Sequence, residues 1–283
     1  MTATVYKSAE ARLKVNDLYR AYLDSWPFAF DEHNFETDFG VTHVIESGSK
    51  ANQAIVLLHG TMATAAMWRE EIEALAPRYR VIAIDVIGDA GFSAPTRPPM
   101  DSDDHALWLD QVTQKLDIES FHLVGLSLGG WLATDFAARH PDQIKSLTLI
   151  TPGGIADKNV IIWALPLLLL GSWGAEKVQE RILGPRTEPA TEHQLHVAQL
   201  SGAIFEGMKP RDGLKRFSDT ELKNLKMPVL VLLGSEDVTM DSSKIRDRFE
   251  ELIPHAEIRI YEGKRHFLGN QSDVISAFIA NAI

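Results

Sequence analysis

Residues 121–130 read FHLVGLSLGG, and the fold follows from how this stretch is divided. Phe121 to Leu126 is a continuous apolar run, as expected of a strand buried on both faces of a sheet. Leu128 to Arg139 has the composition of a helix, which ends at His140-Pro141. Between them, Gly125-Leu126-Ser127-Leu128-Gly129 fits the pattern G-x-S-x-G. As a bare pentapeptide this is an ordinary glycine-rich turn. Placed between a buried strand and a helix it has a specific consequence. The turn is tight, its glycines remove Cβ clashes, and the serine hydroxyl stands at the C-terminal edge of the sheet. The start of the helix behind it favours developing negative charge. Ser127 is therefore a candidate nucleophile.

The same alternation extends in both directions. AIVLL (54–58), RVIAI (80–84), SLTLI (146–150), VLVLL (229–233) and EIRIY (257–261) read as further strands. Helical patterns fall at 65–76, 104–116, 242–252 and 273–282. Strand–helix–strand repetition predicts βαβ units and an α/β fold with a mostly parallel, doubly wound sheet. Before it, Ala9 to Leu23 has helical spacing and 39–46 is strand-like. Residues 1–38 are thus expected to be an N-terminal helical extension. The alternation breaks between 155 and 218, where Leu- and Trp-rich segments and Gly184-Pro185 give only helical patterns. This predicts a core of 39–154 and 219–283, carrying 155–218 as an inserted helical cap.

Composition narrows the function classes. Twenty-eight Lys and Arg against 39 Asp and Glu give a formal charge of −11, which disfavours nucleic acid and anionic membranes as partners. The chain has no cysteine, so disulfides, thiolate metal sites and a cysteine nucleophile are all excluded. Its first residues lack the apolar core of a signal peptide. The most apolar window, 160–173, is shorter than the roughly 20 residues needed to cross a bilayer, and Pro166 and Gly171 interrupt it. A cytoplasmic monomer or homodimer is the expectation.

A serine hydroxyl needs a base, and the base an orienting acid. His266 lies after the last strand, at the sheet edge where open α/β folds bind ligands. Glu236 and Asp237 follow VLVLL directly; Asp237 is preferred, with Glu236 as the alternative. His59-Gly60-Thr61-Met62 follows AIVLL. There the N–H of Thr61, paired with that of Leu128, would form an oxyanion hole, each donor worth roughly 3–4 kcal/mol of barrier. His59 comes too early in the chain to be the base and is read as structural.

Taken together, LLHGTMATAAMW (57–68), AIDVIGDAGFSAP (83–95) and GLSLGGW (125–131) resemble the bacterial carboxylesterases of the α/β-hydrolase superfamily. Trp26-Pro27 followed by FGVTHVIESG (39–48) extends the resemblance to nearly the whole chain. It implies Ser127 as nucleophile, His266 as base, Asp237 as the acid three residues past Gly234, and Thr61 and Leu128 as oxyanion amides. One departure is that the Gly-His pair usual before the last helix is Arg265-His266 here.

The remaining features carry less. Asp85 and Asp89 are read as loop-shaping acids. His193 and His196 are three apart on a helix, but no third ligand is near, so no metal is expected. The run 161–170, IIWALPLLLL, falls in the cap. Trp163 and Leu168 in this run, and Met62 in the loop after AIVLL, are candidate substrate-lining residues. The expected activity is hydrolysis of a small-molecule carboxylic ester through an acyl-enzyme, with no cofactor. A carbon–carbon bond hydrolase, a thioesterase and a slow-turnover receptor would each use the same residues.

Overall fold

The computed structural model describes residues 5–156, 166–167, 169–184, 192–211 and 213–282. Eight strands form one sheet in the order β1-β2-β4-β3-β5-β6-β7-β8. They are β1 (Asp31–Thr37), β2 (Gly40–Ser47), β3 (Ala54–Leu58), β4 (Arg80–Ile84), β5 (Phe121–Leu126), β6 (Ile144–Ile150), β7 (Val229–Gly234) and β8 (Glu257–Tyr261). β1 pairs antiparallel with β2, and β2 with β4; every later pairing is parallel.

The apolar runs explain the layering. Side chains alternate across a strand, so each central strand supplies two cores. Val56, Leu58, Ile82, Ile84, Leu123, Leu147 and Val231 face one core. It is closed by α3 (Asp104–Lys115), α4 (Leu128–Arg139) and α8 (Ser242–Leu252). Ile55, Leu57, Val81, Ala83, Val124, Leu230 and Leu232 face the other. There α1 (Ala9–Asp24), α2 (Arg69–Leu75) and α9 (Ser272–Asn281) pack. Further α-helices among the described residues are α5 (Gly171–Leu183), α6 (Glu192–Gly207) and α7 (Asp219–Lys223). α5 and α6 lie in the segment expected to be the cap. Among the described residues no helix is long and apolar enough to cross a membrane.

Two expectations need correction. The segment 1–38 is not wholly helical, because β1 (DEHNFET) is a sheet strand within it. β1 is an edge strand held by its backbone pairing with β2 and has no fully buried residue, so it lacks the apolar signature of a strand. The helix expected over 65–76 is a 3-10 turn, Ala65–Trp68, followed by α2.

Candidate active site

Ser127 joins β5 to α4 at φ 54°, ψ −106°, a left-handed conformation that costs a non-glycine residue energy and persists only when its surroundings impose it. They do so here. Ser127 N–H donates to Ile150 O at 2.9 Å, and its carbonyl accepts from Trp131 N and Gly153 N, both at 3.0 Å. A Cβ on Gly125 would lie 2.2 Å from Gly129 O, and one on Gly129 2.0 Å from Leu58 O. The turn closes only with glycine at both positions. Ser127 is 8% exposed.

The loops after β7 and β8 are joined backbone to backbone. Ser235 N–H donates to Tyr261 O and Glu236 N–H to Lys264 O. This pairing turns Asp237 inward and leaves Glu236 exposed. Asp237 Oδ2 lies 2.7 Å from His266 Nδ1. Its Oδ1 accepts from Thr239 N (2.8 Å), Thr239 Oγ1 (2.7 Å) and Met240 N (3.2 Å). Burial pushes the Asp237 carboxyl up, but the hydrogen bonds from His266 and Thr239 outweigh it and hold the group below the usual carboxylate range. An ionised carboxylate only accepts, so Nδ1 carries a proton, and in the neutral ring the lone pair therefore lies on Nε2.

One segment touches both halves of the site. Thr151, held at φ 42°, donates from Oγ1 to His266 O at 3.2 Å and from N–H to Leu232 O at 2.8 Å. Its neighbours Ile150 and Gly153 bond to Ser127. Thr239 and Thr151 thus complete the arrangement. Neither was visible in the sequence, where a threonine in a loop carries no signal. Thr239 could have been suspected only from its place two residues after Asp237.

The loop after β3 runs beside the serine: a Cβ on Gly60 would sit 3.5 Å from Ser127 Cβ. His59 is fully buried and spans this loop. Val86 N–H donates to its Nε2 (2.9 Å), so its Nδ1 donates to Gly60 O (2.8 Å). Asp89 accepts from Met62 N (2.7 Å), Ala90 N (3.0 Å) and Thr61 Oγ1 (3.2 Å). The N–H of Met62 is therefore engaged. Those of Thr61 and Leu128 donate to no other group among the described residues. Met62, at φ 57°, packs partly buried against the core beneath α1 and α2. Trp163 and Leu168 lie outside the described residues.

Asp85 anchors the loop that carries Asp89. It accepts from Ala65 N (2.8 Å), Phe92 N (2.9 Å) and Tyr19 Oη (3.1 Å). His43 links it at 2.8 Å to Glu32, which pairs bidentately with Arg20. Burial pulls the His43 pKa down, yet its two carboxylate neighbours more than reverse this and raise it. The unexpected strand β1 thus supplies Glu32 to a chain of charges that reaches the site. His193 bonds to Tyr22 Oη at 2.9 Å. The described residues contain no group of three His, Asp or Glu able to hold a metal ion.

Comparison with known proteins gives a consistent picture. The α/β-hydrolase fold family model matches residues 53–181. Carboxylesterase YbfK of Bacillus subtilis is 29% identical over 268 residues, covering 93% of this chain and 90% of the relative. Its crystal structure superposes with a TM-score of 0.83 over 97% of this chain and 100% of its own, at 27% identity. The structure of naproxen esterase, also from Bacillus subtilis, gives 0.84 over 97% and 99%, at 27% identity. The chain has the α/β-hydrolase fold and resembles the bacterial carboxylesterases over nearly its whole length.

Proposed function

We propose that the protein hydrolyses carboxylic esters through an acyl-enzyme on Ser127. His266 Nε2 takes the Ser127 proton as Oγ attacks the ester carbonyl. The oxyanion is received by the N–H groups of Thr61 and Leu128. His266 returns the proton to the leaving alcohol, and water, deprotonated by His266, then attacks the acyl-enzyme to release the acid and free Ser127. Asp237 fixes the imidazole tautomer and stabilises the imidazolium. The observation that carries this reading is the Asp237–His266 bond of 2.7 Å, at the same sheet edge as a serine held in strained geometry. The strain supports this reading, since the motif glycines and the bonds to Ile150 and Gly153 hold Ser127 in it.

Residues 155–218 serve in this reading as a cap over the site, with Met62, Trp163 and Leu168 lining an apolar acyl or alcohol pocket. The resemblance to carboxylesterases supports ester cleavage as the chemistry.

The test is release of p-nitrophenol from acetate, butyrate and octanoate esters by the wild type and by Ser127→Ala, which is expected to lose about 10⁴-fold or more in kcat. No wild-type turnover combined with fluorophosphonate labelling of Ser127 would leave the machinery but remove the ester, pointing to carbon–carbon or thioester cleavage. Neither turnover nor labelling would end the proposal.

A further inference from the structure

Arg265 stands where the resemblance leads one to expect glycine, and its side chain has a definite destination. Its Nη1 donates to Glu180 O at 2.7 Å. The next residue, His266, donates from its backbone N–H to Ile182 O at 3.2 Å. Both acceptors belong to the last turn of α5, which ends at Gly184 with φ 107°. Glu180 O already accepts Gly184 N–H at 2.9 Å, and the guanidinium adds a second donor at the negative end of the helix dipole, where a cation is favourable.

The other side of the same loop is fixed as well. A Cβ on Gly234 would lie 2.2 Å from Arg265 O and 2.4 Å from Lys264 O. Glu236 N–H donates to Lys264 O at 2.8 Å. Residues 264–266 are therefore clamped between the end of β7 and the end of α5. At the opposite end of α5, Leu169, Leu170 and Trp173 present exposed apolar side chains. The helix is tied to the sheet edge at its C-terminal end, beside His266.

We propose that Arg265 is a positioning residue that fixes α5 against the His266 loop, so that the placement of this cap helix sets which esters reach the site. The selectivity half of this proposal rests on the ester-hydrolase reading; the mechanical half does not. If the latch exists, opening it frees the last turn of α5 and changes discrimination between long and short acyl chains. The base itself remains bonded to Asp237 and Thr239.

Amide hydrogen exchange and ester kinetics on Arg265→Gly and Arg265→Lys provide the test. Loss of a charge-assisted hydrogen bond in Arg265→Gly is expected to speed exchange in the last turn of α5 by about tenfold or more, with α8 unchanged. The octanoate-to-acetate ratio of kcat/KM is expected to shift by a few-fold, with about tenfold, the worth of one such bond, as its upper limit. Arg265→Lys, which can still donate to Glu180 O, is expected to recover most of both. Unchanged exchange in α5 overturns the latch. Equal losses on both esters overturn the selectivity role and leave Arg265 a plain helix cap. Arg265→Met, which keeps the aliphatic stem, replaces the glycine variant should that fail to fold. A wild type inactive on every ester sinks the ester reading alone, and the exchange experiment then decides the latch.

Discussion

Glu71 should make the fold weaker as pH rises, and replacing it with glutamine should remove that weakness. The side chain is 5% exposed on α2, and its Oε1 accepts from Gln271 N–H at 3.1 Å. Gln271 is the N-cap of α9 and follows the His266 loop. Burial is the dominant influence and pushes the carboxyl from the ordinary 4.5 up to about 7, although the Gln271 bond opposes it. In the unfolded chain the group ionises near 4.5. The folded state holds the proton more tightly, so stability is lost as pH rises from 4.5 through 7. At about 1.4 kcal/mol per pH unit, the full loss is about 3 kcal/mol. Roughly 2.5 kcal/mol of it develops between pH 5 and pH 8.5. Glutamine keeps an acceptor for Gln271 N–H and cannot ionise. Urea unfolding of both proteins at those two pH values isolates the effect, because His43, His105 and His122 titrate alike in each. The variant is expected to gain on the wild type by about 2.5 kcal/mol between the two pH values. A stability difference independent of pH would show that Glu71 ionises normally and refute the reasoning.

Three further substitutions test the site. Thr239→Val removes the hydroxyl shared by Asp237 and His266 and should lower kcat/KM about tenfold, the worth of one such hydrogen bond; an unchanged value would make Thr239 a bystander. Asp89→Ala strips the acceptor from Met62 N–H, Ala90 N–H and Thr61 Oγ1. It should reduce kcat about 10²-fold with little change in KM, as expected when an oxyanion donor is misplaced, whereas a pure KM effect would argue against that role for the loop. Gly129→Ala places a Cβ 2.0 Å from Leu58 O and should cost about 3 kcal/mol or more. Thermal melting followed by circular dichroism measures this, and a wild-type melting temperature would mean that the turn relaxes at no cost.

The sequence by itself determined the central sheet and the order of its parallel strands along the chain. Runs such as AIVLL and VLVLL are apolar on both faces, a pattern that only burial between two helical layers accommodates. It also singled out Ser127, because glycines two residues either side of a serine at a strand–helix junction have a steric meaning that can be read locally. His266 and Asp237 were legible as loop residues at strand ends, and the structure places them 2.7 Å apart. Strand β1 was hidden, since an edge strand is held by backbone bonds that any residue type makes. Asp89 was legible as a loop-shaping acid, though not its partners, whereas the parts played by Thr239, Thr151 and Arg265 were decided by the tertiary structure alone. Each acts through a partner that the chain brings close only after folding. Thr151 meets His266 across 115 residues, and Arg265 meets Glu180 across 85. Composition and periodicity report what a residue prefers to be buried in. They do not report which carbonyl or carboxylate will face it, because that depends on how separate loops converge at one edge of the sheet.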